Sequence, residues 1–442
     1  MSSKTTYYLL AAIMSVFLIS IMAFGKQKDF YLMFPLYSMA FVSYALILFR
    51  NYGTLKQLIL LGIVLRLMFV YFFPNLSDDM YRFYWDGRLM VEGINPYGVL
   101  PSEVISLRLK NPDINIFHKL NSPEYYTIYP PVSQIYFAVG AIFGDVYKSA
   151  MIMKVLFLIT EIGGLVFMLK ILDKLHLDRR LSMIYFLNPL IMLEGVGNLH
   201  FEVVMIAFLC LSIYFIFEKK WLYGSIWMAM SIGVKLVPLI LLPFLWFMLK
   251  GKERLVFFVV LSVILCIIFF PVTGSVEFGS FMSSLDLYFR KFEFNGSIYY
   301  VLRSIGMTLT GYNLISYIGP ALALVTLSFS FWLAAKKAEG GLPEFMKYSL
   351  MVGTVYFLLA TTVHPWYIST LVFFSVFTDI KYGVFWSYLI FITYVNYSCT
   401  PFHENMWAVA SEYAILLILI ILEYKRRLPP SLSDSWQSGC VK

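Results

Sequence analysis

Charged residues are scarce in this chain of 442 residues, since Asp, Glu, Lys and Arg together make up only 14% of it. Hydrophobic residues make up 60%. A soluble protein of this length could not cover so much apolar surface, so the composition excludes a soluble globular enzyme. Because helices satisfy their own backbone groups in lipid, we predict an all-α polytopic membrane protein.

Cysteine is also rare, and no pair of the four residues Cys210, Cys266, Cys399 and Cys440 has C-x-x-C spacing. This pattern favours neither a disulfide framework nor a zinc site. The first apolar run is not followed by a small-residue cleavage pattern, so we expect a retained span rather than a signal peptide. The polar segment 425–442 is expected to be a disordered cytoplasmic tail.

The formal net charge of +8 comes from short basic clusters between the apolar runs. They lie at 173–180, 218–220, 250–254, 334–347, 379–381 and 423–427. Basic loops of this kind are typical of the cytoplasmic side of a membrane and do not indicate nucleic-acid binding. We therefore expect a multi-pass protein of the plasma (inner) membrane with both termini in the cytoplasm.

The apolar runs predict about 12–14 transmembrane helices. An N-terminal pair of spans occupies 1–56, and a membrane domain occupies 57–424. Consistent sidedness requires that 221–249 form either two short spans or a re-entrant hairpin turning at Lys235. It also requires that 131–144 lie along the outer interface without crossing. Residues 74–148 then form one large outer loop.

This outer loop starts with an unusual concentration of charge. Six charged residues lie between positions 78 and 92: Asp78, Asp79, Arg82, Asp86, Arg88 and Glu92. The spacing of the aromatic residues among them predicts a short helix on the bilayer surface. Asp78 and Asp79 would lie at its N-terminus, where the helix dipole favours carboxylates. Asp79 and Asp86 would share one face. The alternative is a capped surface helix with solvated charges and no further role.

Five motifs in order resemble GT-C glycosyltransferases, above all the bacterial polyprenol-phosphate-mannose-dependent mannosyltransferases. They are "SDDMYRFYWDGR…GINPY…IYPPVSQ" (77–134), "NPLIMLEGVGNLH" (188–200), "GVKLVPLILLPF" (233–244), "FNGSIYYVLR" (294–303) and "HPWY" (364–367). The resemblance covers 57–380 and leaves the N-terminal pair unmatched. It implies a GT-C-like bundle with interfacial helices in the first outer loop and an active site at the outer membrane face. It further implies a polyprenyl-phosphate sugar donor, mannose or another hexose, and inverting transfer to a glycan or lipid acceptor.

The resemblance also implies that an Asp of the first outer loop is the general base. A positioned carboxylate can take the proton of an acceptor hydroxyl as the glycosidic bond forms. We assign this role to Asp79, with Asp78 as the second candidate. The pair could instead hold a divalent metal, although two acids are few for a closed metal site.

Cations are expected where the phosphate leaves, because negative charge develops there. Arg82 and Arg88 are candidate phosphate or sugar contacts, or alternatively contacts to lipid headgroups. Asp86 either binds the acceptor or forms a salt bridge with one of these arginines. Lys235 is a candidate ligand of the donor phosphate, and the alternative is a lysine that snorkels to the interface.

Three further polar residues near outer span ends are candidate sugar ligands: Asn198, His200 and Glu202. Ionisable groups in a membrane are costly and usually functional. The alternative is a structural pair between His200 and Glu202. His364 is a candidate sugar-binding residue beside Trp366, which would stack on the sugar or belong to the interfacial aromatic belt.

A transporter or flippase for a lipid-linked or polar solute is the main competing function. Its pattern would be inverted repeats with ionisable groups at the bilayer midplane. The chain shows no internal repeat, and its acids concentrate in one outer loop. An O-antigen ligase or polymerase is a second alternative, but its large loop usually comes late in the chain. A structural scaffold is a third.

Overall fold

The computed structural model describes residues 2–106, 113–399 and 402–425. It is 78% helical. The described residues contain no β-strand and one isolated parallel bridge, between Phe294 and Thr362. The predicted all-α class is therefore confirmed. The predicted tail lies outside the described residues from 426 onward.

The two N-terminal helices, α1 (Ser3–Phe24) and α2 (Phe30–Phe49), pack against each other. They are also tied to the rest of the bundle. The Tyr37 hydroxyl donates to the Ser387 carbonyl at 2.7 Å, and the Tyr44 hydroxyl donates to the Ile184 carbonyl at 2.7 Å. The pair is thus part of the same packed core.

Two buried cations join α3 (Leu55–Phe69) to α8 (Val146–Lys174). Arg66 forms a bidentate ion pair with Glu161, with N–O distances of 2.7 and 2.6 Å. Lys154 donates to the carbonyls of Phe69 and Phe72, the first at 3.0 Å. These carbonyls lie at and just beyond the end of α3, where the regular hydrogen bonds of the helix stop. The charges inside this part of the bundle are therefore matched by internal partners.

The described part of the outer loop contains four short helices: α4 (Asp79–Val91), α5 (Pro101–Ser106), α6 (Ile114–Phe117) and α7 (Pro131–Ala141). The predicted helix after Asp78 is confirmed as α4. The alternative of a helix with solvated charges is wrong for Arg82 and Asp86, because both are buried. The helix α7 has 11 residues and is therefore roughly 16 Å long. It is too short to cross a hydrocarbon core of about 30 Å.

The helices α4 and α7 pack unusually closely at Gly87. A Cβ atom at Gly87 would lie 2.2 Å from the carbonyl oxygen of Phe137. Only a residue without a side chain fits there. Gly87 therefore sets the spacing between the helix that carries Asp79 and the helix that covers it.

The chain bends sharply between the segments Pro189–Gly197 and Glu202–Phe217, which meet at 105°. The first segment consists of α10 (Pro189–Met192) and a π-helical turn (Leu193–Gly197); the second is α11. Leu199 between them has a φ of +64°, a left-handed conformation that non-glycine residues seldom adopt. This strained bend carries the predicted residues Asn198, His200 and Glu202.

The predicted break at Lys235 is confirmed. α12 (Trp221–Val234) ends there, and a 3-10 turn (Val237–Leu241) leads into α13 (Leu242–Met248). Lys235 is extended, with φ −157° and ψ 141°. The first half packs against α11 and α14, whereas α13 packs against α17. Lys235 thus lies at the break between the two halves of this apolar segment.

The remaining helices complete the bundle. They are α9 (Met183–Phe186), α14 (Gly251–Ile268), α15 (Ser275–Arg290), α16 (Ile298–Thr310), α17 (Ile315–Lys337), α18 (Gly341–Leu359), α19 (Ser369–Val376), α20 (Tyr382–Leu389) and α21 (Met406–Lys425). Further 3-10 helices are Arg179–Ser182, Phe270–Val272, Ala338–Gly340, Pro365–Ile368 and Ile390–Ser398.

Fewer helices than expected are individually long and apolar enough to cross a membrane. Among the described residues there are five such segments, or six if the bent segment counts as one span. They are Ser3–Phe24, Phe30–Phe49, Val146–Lys174, Ile315–Leu359 and Met406–Lys425. Several of the 12–14 expected spans are instead broken helices, because Pro, Gly and polar residues interrupt the apolar runs. The multi-pass membrane class holds.

Candidate active site

Asp78 and Asp79 lie at the N-terminus of α4, as predicted. Asp78 occupies the N-cap position, but its side chain caps no helix N–H group. The Ser77 hydroxyl instead accepts from the Asp79 N–H at 3.2 Å. Partial burial and the neighbouring Asp79 carboxylate raise the pKa of Asp78 above its usual range. Asp78 therefore does not cap the helix through its side chain, and its role as the second candidate for the base stays a prediction.

Asp79 lies among neutral polar groups. Its Oδ1 accepts a hydrogen bond from the Asn121 amide at 3.2 Å. Burial and the nearby Asp79 carboxylate hold the pKa of Tyr129 well above its ordinary value. Asp79 also lies within electrostatic range of Tyr367, which comes from the "HPWY" segment. A half-buried carboxylate with neutral partners is suited to accept a proton.

Arg82 and Asp86 form a buried ion pair, with Nε 2.8 Å from Oδ1. The second oxygen of Asp86 accepts from Gln134 at 3.2 Å. Arg82 also donates to the carbonyls of Ser122 and Tyr125, at 3.0 and 2.9 Å. The salt-bridge alternative is confirmed for these two residues. In this arrangement the pair holds the outer loop onto α4.

Arg88 lies on the opposite, less buried part of α4. It pairs with Glu92 at 2.7 Å, one helical turn later, and both side chains are partly exposed. Exposed pairs of this kind contribute about 0–1 kcal/mol. The structure does not bring Arg88 to Asp79, and its phosphate or lipid contact stays a prediction.

Lys235 brings a cation to the same region as Asp79. Its ammonium contacts the Glu202 carboxylate and lies 4.3 Å from the centre of the Tyr367 ring. Tyr367 lies within electrostatic range of both Asp79 and Glu202. We call Asp79, Tyr129, Glu202, Lys235 and Tyr367 the Tyr367 cluster. It joins three distant predicted motifs: the outer loop, the bend and the break at Lys235.

Three rings form a parallel stack beside this cluster. The Trp366 ring lies 3.5 Å from the His200 ring and 4.5 Å from the His364 ring, with interplanar angles of 9° and 10°. Two imidazoles at these separations on one face would overlap, so they cover opposite faces of Trp366. Trp366 therefore has no free face for a sugar, and the expected sugar stacking is wrong.

His364 is held in the neutral form by this environment. Burial, followed by the positive charge of Lys235 and the nearby His200, lowers the pKa of His364 to about 3. Its Nδ1 is buried and has no hydrogen-bond partner among the described residues. His364 thus borders the Tyr367 cluster, and its sugar-binding role stays a prediction.

The alternative pairing of His200 with Glu202 is wrong. Nδ1 of His200 lies 3.0 Å from Oε2 of Glu194, and the Tyr394 hydroxyl donates to Oε1 of Glu194 at 2.6 Å. Glu202 pairs with Lys235 instead. The strained conformation of Leu199 turns the His200 side chain back toward the preceding π-helical turn.

The side-chain amide of Asn198 forms hydrogen bonds with backbone groups. Its Oδ1 accepts from the Leu76 N–H at 3.2 Å, and its Nδ2 donates to the Leu193 carbonyl at 2.8 Å. Leu76 precedes the two aspartates, so Asn198 ties the outer loop to the bend. The residue holds the Asp79 end of α4 in place, and its sugar-binding role stays a prediction.

The "FNGS" motif forms hydrogen bonds with the segment that precedes "HPWY". Phe294 pairs through its backbone with Thr361 and Val363, at 3.1 and 2.8 Å, immediately before "HPWY". Asn295 has a φ of +50° and donates its N–H to Glu404 at 2.7 Å. The motif thus positions the segment that carries the ring stack.

Sequence reasoning did not assign roles to Tyr129, Tyr367, Glu194 or Tyr394. Tyr129 lies in "IYPPVSQ" and Tyr367 lies in "HPWY". In both motifs the available signal was a Tyr close to a Pro. Tyr394 lies in an apolar run and gives no local signal. Among the described residues, no group of three or more His, Cys, Asp or Glu side chains could hold a metal ion. The binding of a divalent metal by Asp78 and Asp79 stays a prediction.

Comparison with known proteins identifies the family. Residues 12–251, more than half of the chain, match the family described as alpha-(1->6)-mannopyranosyltransferase, N-terminal domain. The chain belongs to this family. It is a glycosyltransferase acting on mannose, with a sugar donor and a glycan acceptor as substrates. The predicted resemblance to membrane mannosyltransferases is confirmed. No curated protein matches the chain.

Proposed function

We propose that this mannosyltransferase takes its mannosyl group from a polyprenyl-phosphate donor and transfers it with inversion at the outer membrane face. Asp79 is the general base that removes the proton of the acceptor hydroxyl. Lys235 binds the donor phosphate and stabilises the charge that develops as it leaves. The acceptor is a glycan or a lipid-borne glycan.

One observation carries this proposal: Tyr367 lies against the Lys235 ammonium and within electrostatic range of Asp79. The transfer needs a base for the attacking hydroxyl and a cation for the departing phosphate, on opposite sides of the anomeric carbon. The outer loop supplies the first group, and the break at Lys235 supplies the second. A sugar between them would meet both groups at once.

The length and direction of α8 support the outer location. The helix begins at Val146, at the end of the outer loop, and ends at Lys174, in the first basic cluster. Its 29 residues span roughly 43 Å, enough to cross the bilayer. If basic clusters are cytoplasmic, the end that carries Asp79 faces outward.

The test uses the full chain reconstituted in vesicles with radiolabelled polyprenyl-phosphate mannose and a mannan acceptor. Asp79→Asn should lower transfer by roughly 10²–10⁴-fold, the usual contribution of a general base. Asp78→Asn tests the second candidate for the base and should retain transfer, because the proposal assigns the proton removal to Asp79. Equal transfer by wild type and Asp79→Asn would remove Asp79 as the base.

Three further outcomes test the flippase alternative, the part played by a divalent metal and the side of the membrane that the site faces. Label that crosses the bilayer without forming a new glycosidic product would favour a flippase over a transferase using this donor. Loss of transfer in EDTA, with recovery on adding Mg²⁺ or Mn²⁺, would show that a divalent metal takes part. Membrane-impermeant acceptor added outside should be glycosylated if the site faces outward.

A further inference from the structure

The Glu194 carboxylate lies between the side chains of Tyr394 and His200. The position of Glu194 in the sequence predicts neither contact. One oxygen accepts from the Tyr394 hydroxyl at 2.6 Å, and the other lies 3.0 Å from Nδ1 of His200. All three residues are at least 97% buried. A carboxylate held on both sides in this way is fixed in position.

This contact also decides where the His200 ring carries its proton. Nδ1 faces only acceptors, the Glu194 carboxylate and the Glu194 carbonyl oxygen at 3.1 Å. Nδ1 must therefore be protonated, which leaves Nε2 as the atom that can meet a ligand. Stacking on Trp366 at 3.5 Å fixes the ring plane. The direction of Nε2 is thus set by Glu194 and Trp366 together.

Three buried polar atoms at this place have no hydrogen-bond partner within the described part of the chain, and one of them, Oε2 of Glu194, faces Nδ1 of His200. The other two are Nε2 of His200 and Oε2 of Glu202. Leaving one such atom unpaired costs roughly 1–3 kcal/mol. Both residues border the "HPWY" segment, His200 through Trp366 and Glu202 through Lys235 over Tyr367. Two unpaired atoms here point to a polar ligand.

The chemistry of the two atoms selects a hydroxyl group. A hydroxyl can donate to the Nε2 lone pair and to the Glu202 carboxylate. A phosphate would be repelled by Glu202 and is better bound by Lys235, on the other side of that carboxylate. A sugar linked to phosphate presents both kinds of group at adjacent positions.

We propose that His200 Nε2 and Glu202 Oε2 bind hydroxyl groups of the transferred hexose and so select the sugar. Glu194 and Tyr394 are positioning residues that act through His200. This inference rests on the proposed function, since it assumes a polyprenyl-phosphate hexose donor. It adds the part of the site that recognises the sugar.

The test compares polyprenyl-phosphate mannose with its 2-, 3-, 4- and 6-deoxy analogues in the reconstituted full chain. Wild type should use at least one analogue roughly tenfold less well in kcat/KM, the value of one lost hydrogen bond. His200→Phe keeps a ring on Trp366 but has no Nε2. It should lower kcat/KM for mannose and no longer distinguish that analogue.

Glu194→Gln and Tyr394→Phe test the positioning role. Both should raise KM for the mannosyl donor and reduce the discrimination against the same analogue, while kcat changes less. Tyr185→Phe is the matched control, because the Tyr185 hydroxyl is equally buried and has no partner among the described residues. It should leave the discrimination unchanged.

The two proposals fail in different ways. If wild type transfers no mannose from any of these donors, the proposed donor is wrong. If wild type transfers mannose but His200→Phe and Glu194→Gln discriminate among all four analogues as wild type does, the sugar-binding inference is overturned. Should His200→Phe fail to fold, the ratio measured for Glu194→Gln decides.

Discussion

The Lys235 ammonium lies 4.3 Å from the centre of the Tyr367 ring while it contacts the Glu202 carboxylate. Tyr367 lies within electrostatic range of Asp79 as well. One aromatic ring therefore contacts Lys235 and lies within electrostatic range of Asp79, the two residues to which we propose to assign the transfer. The family assignment gives mannose as the sugar.

Lys235→Met should raise KM for the donor roughly tenfold or more, because a charged hydrogen bond to phosphate contributes about 1.5–3 kcal/mol. Steady-state kinetics with polyprenyl-phosphate mannose would measure it. The single variant leaves Glu202 buried without its partner, so Lys235→Met with Glu202→Gln is also needed. Lys170→Met is the control, since Lys170 also lies over an aromatic ring, 4.7 Å from Phe167. An unchanged KM in both Lys235 variants would contradict phosphate binding there.

Gly87→Ala should destabilise the protein by about 1–3 kcal/mol, because the added Cβ overpacks the contact with Phe137. It should also lower transfer, since α4 carries Asp79. Gly163→Ala is the matched control: a Cβ there meets no atom within 4 Å. Thermal unfolding in detergent measures both. Equal unfolding temperatures for the two variants would show that α4 and α7 can separate without cost.

Arg66→Met should cost about 3–5 kcal/mol, because it leaves Glu161 buried without a counter-ion. The double variant Arg66→Met with Glu161→Met should recover most of this stability, since an apolar pair carries no desolvation penalty. The free energies of unfolding of wild type, Arg66→Met, Glu161→Met and the double variant together give the coupling free energy between the two residues. Additive losses would indicate that the two residues do not act as a pair.

Local patterns in the sequence predicted the elements that depend on neighbouring residues. The run after Asp78 has helical spacing and no breaker before Gly87, and it forms α4. The "GVKLVP" stretch combines Gly and Pro around a charge, and the helix breaks at Lys235. These features follow from backbone preferences that act over a few residues.

Contacts between distant segments could not be predicted in the same way. A structural pair of His200 with Glu202, two residues away, was the alternative that the sequence offered. The left-handed Leu199 and the π-helical turn instead bring it to Glu194, and a 3-10 helix brings Tyr394 to the same carboxylate across 200 residues. Likewise, nothing near Trp366 in sequence shows that imidazole rings cover both of its faces. Tertiary packing decides such contacts.

His364 gives the last prediction, on pH. Its pKa is lowered from 6.5 to about 3 by burial, by the charge of Lys235 and by the nearby His200, so the folded protein binds this proton more weakly than the unfolded chain does. The stability that follows from this difference is complete above pH 6.5 and is lost as the pH falls toward 3. Thermal unfolding of wild type between pH 7.5 and 5 should therefore show a steeper loss of stability than that of His364→Gln, whose side chain does not titrate. The slope, and not the unfolding temperature at one pH, is the measured quantity, because the substitution also disturbs the stack on Trp366. Parallel slopes for the two proteins would show that His364 titrates at its ordinary value and that Lys235 lies farther from it.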